Sequence, residues 1–350
     1  MSREIKAKAA ARSRRKAPAV TLETVAARAG VSPSTVSRIL NGTAVVSVEK
    51  RDAVDAAIAE LGFVPNPMAR GLAGGRTHSV GVITLSIDSP FYGVALRGVE
   101  DALGRAGYSP LFVSGHFDAE AESRCIDVLR SRRVDGIIML DGKLDDRALR
   151  AHARALPLVV TGRSLKAPGV IALQSDNVEG ARLATQHLLE LGHRRIAFIN
   201  GDPVHPDARD RYAGYRAALE AAGVAVDRAL VLPGAFQEPS GLAAVELLLE
   251  RRVPFTAIFA ANDQMAIGAT LALHQRGLRV PDDVSLVGYD DIAPAAYSVP
   301  PLSTVRQSGY EIGQCAAEAM LALLAGEKPR VSLPAPRFIA RESTRAPRKR

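Results

Sequence analysis

Apolar residues fall at three- and four-residue intervals through Val20–Asn41, VTLETVAARAGVSPSTVSRILN, and that spacing predicts two helices joined by a tight turn. Leu22, Val25, Ala26 and Ala29 share one face. Gly30 follows where a helix C-terminus needs a residue that tolerates positive φ. Ser32 offers a capping hydroxyl, and Pro33 suits a first helical position that needs no N–H. Val36, Ile39 and Leu40 give the second helix its inner face, leaving Ser34, Thr35, Ser37 and Arg38 outside. Beyond Asn41-Gly42, Ser47 is the expected cap of a third helix striped by Val54, Ile58 and Leu61 and ended by Gly62. Three short helices can close a small core around Leu22, Val25, Val36, Leu40, Val54 and Ile58, near the lower size limit for a stable module. Phe63-Val64-Pro65 reads as extended, and Asn66-Pro67 as the cap and first turn of a very short helix, Pro67–Leu72. Gly71 and its length make that helix unstable alone, and Gly74-Gly75 forms a joint behind it.

From Ser79 the texture changes to alternating strands and helices. Buried strands are expected at Ser79–Leu85, Ser109–Val113, Gly136–Leu140 and Leu158–Thr161. Helices Phe91–Ala106, Ala119–Arg132 and Asp145–Ala155 fall between them. A second run has strands at Ile196–Asn200, Leu230–Leu232, Ala257–Phe259 and Ser285–Tyr289. Its helices are Val178–Leu191, Arg211–Ala222, Ser240–Glu250 and Gln264–Arg276. Two successive β-α runs imply two doubly wound lobes, each a parallel sheet covered by helices. Ligands collect beyond the strand C-termini of such sheets, so the cleft between the lobes is the expected binding site. The fold class is α/β with an all-α headpiece. The expected divisions are a basic tail at 1–19, the headpiece at 20–64, a hinge helix and linker at 65–76, the two-lobed domain at 77–341 and a basic tail at 342–350.

Charge refines this picture. The net charge of +8 resides in the ends: residues 1–19 hold seven basic residues and one acid, and residues 341–350 hold five and one. The stretch between is slightly acidic. Basic tails add salt-dependent, sequence-blind attraction to phosphate, but the argument for DNA rests on the helix pair. A helix with an apolar back and a front of hydroxyls and one arginine suits a major groove. No run is apolar and long enough to span a membrane, and the N-terminus lacks the apolar core of a secretory signal. Cys125 and Cys315 have no metal-like spacing, so a reducing cytoplasm is the simplest setting, with no cofactor expected.

Candidate chemistry gathers at the predicted cleft. Asp290 closes a strand and can accept two hydrogen bonds from neighbouring hydroxyls. Asn262 ends the Ala257–Phe259 segment and can both donate and accept, whereas Asp263 reads as a helix cap. Arg211 opens a helix, Arg163 follows the fourth strand, and Phe91-Tyr92 follow the first. Polar groups beside an aromatic platform suit a sugar, whose hydroxyls alternate with an apolar face. His193 reads as a loop residue after a helix, and His205 as a surface residue near Arg211. No catalytic set emerges: there is no phosphate loop, no G-x-S-x-G and no zinc spacing.

Several stretches, taken together, resemble the LacI/GalR family of transcription regulators. VTLETVAARAGVSPSTVSRILNG is similar to the family headpiece and FVPNPMARGLAGGRTHSVGV to its hinge. AGYRAAL, ANDQMAIGA and PDDVSLVGYDD are similar to effector-domain motifs in the family's order, so the resemblance runs from about Val20 to Arg341. It implies a helix-turn-helix headpiece, a hinge helix and a two-lobed domain like periplasmic sugar-binding proteins. It places Pro33, Ser34, Thr35, Ser37, Arg38 and Asn41 at the operator, with Thr21, Leu22, Ser32 and Asn66 beside them. Pro33 departs from members with a polar residue there, so its readout is steric or absent. Leu72 matches the leucine that wedges into the minor groove, bending the duplex. Arg211 aligns with the family's ligand-binding arginine, and Phe236 with the aromatic that stacks on a ligand.

The resemblance implies a homodimer on a near-palindromic stretch of double-stranded operator DNA, released by a small sugar-like effector. Ligand-promoted DNA binding, or a sugar acid or purine as effector, are the alternatives; a sugar-binding protein or an enzyme is a different class that the headpiece argues against. No leucine heptad follows the last domain, so tetramerisation through such a tail is not expected.

Overall fold

Five side chains from three helices, Val25, Ala26, Val36, Val54 and Ala57, make the core of the N-terminal unit. The computed structural model describes residues 20–40, 46–63, 75–329 and 331–348. Contacts divide it into a unit ending at Thr77 and another running from His78. In the first, α1 (Leu22–Ala29), α2 (Pro33–Leu40) and α3 (Val48–Leu61) follow the predicted spacing. Thr21 and Thr24 cap each other: the Thr24 N–H donates to Thr21 Oγ1 at 3.3 Å and the Thr21 N–H to Thr24 Oγ1 at 3.4 Å. Gly30 takes φ 66° and turns the chain, and the Thr35 N–H donates to Ser32 Oγ at 3.2 Å. Ser47 departs from expectation: it stands at the cap position without a capping bond, its hydroxyl serving the Glu49 carboxylate instead. The expected short helix Pro67–Leu72, with Asn41, Asn66 and the tail at 1–19, lies outside the described residues.

The second unit starts with β1 (Ser79–Thr84), α4 (Pro90–Arg105), β2 (Ser109–Ser114), α5 (Ala119–Ser131), β3 (Gly136–Leu140), α6 (Asp146–Ala153), β4 (Leu158–Thr161) and β5 (Val170–Leu173). These five strands form one parallel sheet in the order β2-β1-β3-β4-β5. The chain continues through α7 (Asn177–Glu190), β6 (Ile196–Ile199), α8 (Pro206–Ala221), β7 (Val231–Leu232), α9 (Glu238–Glu250), β8 (Ala257–Ala260) and α10 (Asp263–Gln275). It ends with β9 (Ser285–Asp290), α11 (Ala293–Tyr297), β10 (Ser303–Arg306), α12 (Gly309–Ala325) and β11 (Arg337–Ile339). The second sheet has the order β11-β10-β9-β8-β6-β7, parallel except for β11 against β10.

Three differences from the expected elements have physical causes. β5 and β10 are not among the expected strands: each follows its neighbouring strand without a helix long enough to mark the alternation, since β5 follows β4 directly and only the five-residue α11 precedes β10. α8 starts at Pro206, ahead of Arg211, because proline fits a first turn. Most consequential is α12, which follows the second run of alternation yet returns to the first lobe. Its Ala316, Ala317 and Met320 are buried with Ala95, Leu96 and Val99 of α4. The two helices nearly touch: a Cβ on Gly313 would lie 1.9 Å from the Ala95 carbonyl oxygen, and one on Gly98 2.1 Å from that of Tyr310. The chain therefore passes between lobes after β5, after β10 and again between α12 and β11.

The expected basic tail at 342–350 is, over Ser343–Arg348, a packed segment. The Leu286 N–H donates to the Ser343 carbonyl at 2.8 Å, and Ser343 Oγ donates back to the Leu286 carbonyl at 2.6 Å. Arg345 and Arg348 pair with Asp282 and Asp283 at 2.5 and 2.8 Å. Beside this segment His193 is buried, its ring meeting Thr256 Oγ1, Ser285 Oγ and the Arg345 carbonyl at 2.8, 3.1 and 2.9 Å. Burial holds its pKa below the usual histidine range.

Candidate functional site

Two surfaces hold the predicted chemistry, one in each unit. On the headpiece, burial of Val36 turns the other side of α2 outward, so Pro33, Ser34 and Arg38 are exposed and Thr35 and Ser37 half-buried. The Ser32 hydroxyl lies 2.9 Å from both Ser34 Oγ and Thr35 Oγ1, binding three polar side chains into one turn. Arg38 Nε donates to the Ser34 carbonyl at 3.3 Å. Leu22, also expected beside the operator, is half-buried, and its side chain packs on the headpiece core. Thr21 is exposed. Asn41, Asn66 and Leu72 fall outside the described residues.

In the second unit a cavity of about 500 Å³ opens between the lobes, where the parallel strands end. That volume suits a small ligand. The predicted Phe91, Tyr92, Arg211, Phe236, Asn262 and Asp290 all line it. Asp290 ends β9, Asn262 caps α10, and Phe91 and Tyr92 sit in the first turn of α4. Asp290 and Phe236, with the neighbouring Asp141, take positive φ of 107°, 60° and 67°. Such backbone costs of order 1–3 kcal/mol per residue and clusters where side chains must be aimed.

Arg211 is the centre of the cavity floor. Its Nε donates to Asn177 Oδ1 at 2.9 Å and its Nη1 to the Ala261 carbonyl at 2.5 Å. Nη1 lies 3.5 Å from Asp290 and Nη2 3.6 Å from Asp207, while the guanidinium carbon sits 3.8 Å above the Tyr289 ring. Burial opposes its charge, but Asp290, Tyr289 and Asp207 outweigh burial and raise its pKa. At the carboxylates burial prevails instead. Burial pushes Asp290 up to about 6, against Arg211 and a 2.8 Å hydrogen bond from Gln307 Nε2. Burial, then the charge of Asp141, pushes Asp207 up to about 7 despite Arg211. The Tyr92 hydroxyl donates to Asp141 Oδ2 at 3.1 Å, and burial followed by that carboxylate holds its pKa well above the usual phenol range.

Arg163 is absent from this cavity. Its guanidinium donates to the carbonyls of Leu144, at 2.5 Å, and of Gly142. Glu122, buried on α5, takes the N–H groups of Lys143 and Leu144 at 2.8 Å each. Together they clamp the loop behind Asp141, so Arg163 serves the loop. Asp263 is not the cap expected of it. Asn262 Oδ1 accepts the Met265 N–H at 2.9 Å and caps α10. The fully buried Asp263 instead accepts from the Ile292 N–H and Thr304 Oγ1, at 2.9 and 2.6 Å. His205, expected at the surface, lines the cavity with 12% of its side chain exposed.

The sequence reading missed Asp88, Asp141, Asp207, Glu238 and Gln307, all on the cavity wall. Two of these left a signal. Asp141 follows β3 as directly as Asp290 ends β9, and Asp207 precedes Arg211 by one helical turn. The wall thus has five carboxylic acids against Arg211, whose donors already face Asn177, Ala261, Asp207 and Asp290. This arrangement accepts hydrogen bonds from neutral hydroxyls and repels an anion.

Comparison with known proteins finds relatives for both units. Residues 21–66 match the bacterial regulatory proteins of the lacI family, and residues 185–344 the periplasmic binding protein-like domain. The chain is 35% identical over 303 residues to the HTH-type transcriptional repressor PurR of Haemophilus influenzae, spanning 86% of this chain and 90% of that one. A solved complex of the transcriptional regulator CelR with cellobiose is 38% identical, with a TM-score of 0.69 over 93% of this chain and 99% of that one. The lac repressor dimer bound to operator and the anti-inducer ONPF is 31% identical, with a TM-score of 0.84 over 93% of this chain and 99% of that one.

Proposed function

The chain belongs to the LacI family of bacterial regulatory proteins and is a DNA-binding transcriptional regulator; from that premise we propose that it is a cytoplasmic repressor released from its operator by a neutral sugar held between its lobes. The observation that carries the effector class is the cavity wall, where Asp207 and Asp290 flank a buried arginine whose donors are already engaged and Asp141 adds a third carboxylate. Vicinal hydroxyls can donate to these carboxylates, while Asn262 and the rings of Phe91 and Phe236 meet a sugar's remaining polar edge and apolar face. The CelR complex with cellobiose supports a neutral saccharide over a sugar acid.

In this proposal two chains bind as a symmetric dimer, each placing α2 in the major groove of one half-site. Tyr297 and Val299, 85% and 89% exposed, form a short apolar segment suited to a second copy of the chain. The similar lac repressor is a dimer bound to operator in its solved structure. The segment at 65–76, with Leu72 as the minor-groove wedge, couples the two sites. Effector shifts operator affinity only as far as it binds one lobe arrangement better than the other.

The test is an electrophoretic shift on the chain's own promoter, titrated with neutral hexoses and disaccharides, sugar acids and nucleobases. Release by a neutral saccharide alone is expected. Release by a sugar acid or a nucleobase, or tighter DNA binding with ligand, defeats the proposal.

A further inference from the structure

A stacked pair of rings joins the lobes at the cavity itself. The ring of His205, from the second lobe, stacks on Phe117 of the first with centroids 3.4 Å apart and planes 18° from parallel. Its Nδ1 faces Asp141 Oδ2 at 3.9 Å, also across the cleft, and its edge meets Phe236 of its own lobe at 5.5 Å. Tyr92 holds that same Asp141 oxygen from the first lobe.

Both sides of this contact are rigidly mounted. His116 and Phe117 take positive φ, 53° and 50°, a pair of consecutive left-handed positions without glycine. That turn is tied to the end of β1 by the N–H groups of Gly115 and His116, which donate to the carbonyls of Thr84 and Leu85 at 2.8 and 3.1 Å. Asp118 then caps α5 through the Ala121 N–H at 2.8 Å. On the other side His205 precedes the first turn of α8, and its N–H donates to the Asp202 carbonyl at 2.9 Å. Non-glycine left-handed backbone persists where surrounding contacts over-determine it. Aromatic pairs in such geometry add attraction beyond the area they bury.

We propose that His205 is a positioning residue: by clasping Phe117 across the cleft it holds the two lobes in register and keeps Asp141 aimed into the cavity before any effector arrives. This rests on the reading of the cavity as the effector site only for its functional consequence, since the clasp itself is a contact within the free protein. The crossing segments after β5 and β10 link the lobes through the backbone, whereas the clasp is a side-chain link that ligand-driven rearrangement can open or tighten.

The experiment is hydrogen–deuterium exchange on the full-length, effector-free protein, comparing wild type with Phe117→Ala, His205→Ala and His205→Tyr. Residues 115–118 and 202–206 belong to different lobes, so each serves as the remote reporter for the other. Phe117→Ala should speed exchange at 202–206, His205→Ala should speed it at 115–118, and His205→Tyr, which keeps a stackable ring, should leave both protected. Faster exchange confined to the substituted segment, or loss of protection in His205→Tyr equal to that in His205→Ala, overturns the clasp. The second arm measures binding of the saccharide that releases the operator. His205→Ala should speed its dissociation about tenfold while changing association less than threefold; an unchanged dissociation rate overturns the positioning role. If no neutral saccharide binds while reciprocal exchange is seen, the clasp stands and the effector reading falls.

Discussion

On the headpiece, Ser34 and Arg38 stand in water; in the cleft, Arg211 is 3% exposed and Asp290 9%. Both pairs are polar chemistry offered to a partner, yet they are prepared differently. The headpiece keeps its groups hydrated and aims them with an apolar back, so they cost the fold little. The cleft aims its groups by removing water, crowding carboxylates and bending backbone at Asp141, Phe236 and Asp290 into positive φ. Recognition by long-range, salt-sensitive contact with phosphate and base edges tolerates the first arrangement. Selecting one small neutral molecule, as proposed for the cleft, calls for the second, since buried polar groups reject whatever fails to pair with them.

The sharpest way to break this contrast is Arg211→Met. It removes the cation from between Asp207 and Asp290 and should cost about 3–5 kcal/mol in urea unfolding. A loss below about 1 kcal/mol would mean the cleft is as well hydrated as the headpiece. Next in size is Arg38→Ala, which should cost about 1–3 kcal/mol of operator affinity if it reads a base edge, with no change in unfolding. Equal loss on unrelated DNA would mark a phosphate contact instead.

A smaller effect follows from pH. Asp207 binds its proton more tightly when folded, at about 7, than an aspartate does at its ordinary value of 3.8. Its charge therefore costs stability above pH 7, and that cost is relieved as pH falls through 7 toward 4. Asp207→Asn should then stabilise the chain by on the order of 1 kcal/mol at pH 8, with the gap narrowing through pH 7 and closing toward pH 4. A variant no more stable than wild type at pH 8 would show the carboxylate at ease. The smallest effect belongs to the exposed cap: Thr21→Ala should lower stability by about 0.5 kcal/mol, the low end for a lost N-cap. A calorimetric loss several times larger would place that cap in a more enclosed setting than the one described.

The two regions also differ in how far they could be read from sequence. The headpiece is local: Val25, Gly30, Ser32 and Val36 act within a dozen residues, so periodicity and turn chemistry announce it. The cleft is assembled from the ends of β3 and β9, the first turns of α4 and α8 and the cap of α10, spread over more than half the chain. Strand ends such as Asp290 follow a positional rule and were found, and Asp141 obeys the same rule although it was passed over. Arg163 also follows a strand, but only tertiary structure shows its guanidinium turned to the carbonyls of Gly142 and Leu144. The return of α12 to the first lobe had no local signal, since its apolar stripe would suit either sheet.

That return sets the order in which the chain can be finished as it leaves the ribosome. Residues 78–173 emerge first, carrying every strand of their sheet but lacking the helix that shields Ala95, Leu96 and Val99. Until Ala316 and Met320 are synthesised, the earlier-born half must wait with an apolar flank uncovered, although its own sheet is complete. A gene fragment ending before Gly309 should thus yield an aggregation-prone product, because it uncovers the first lobe as well as removing β11 from the second.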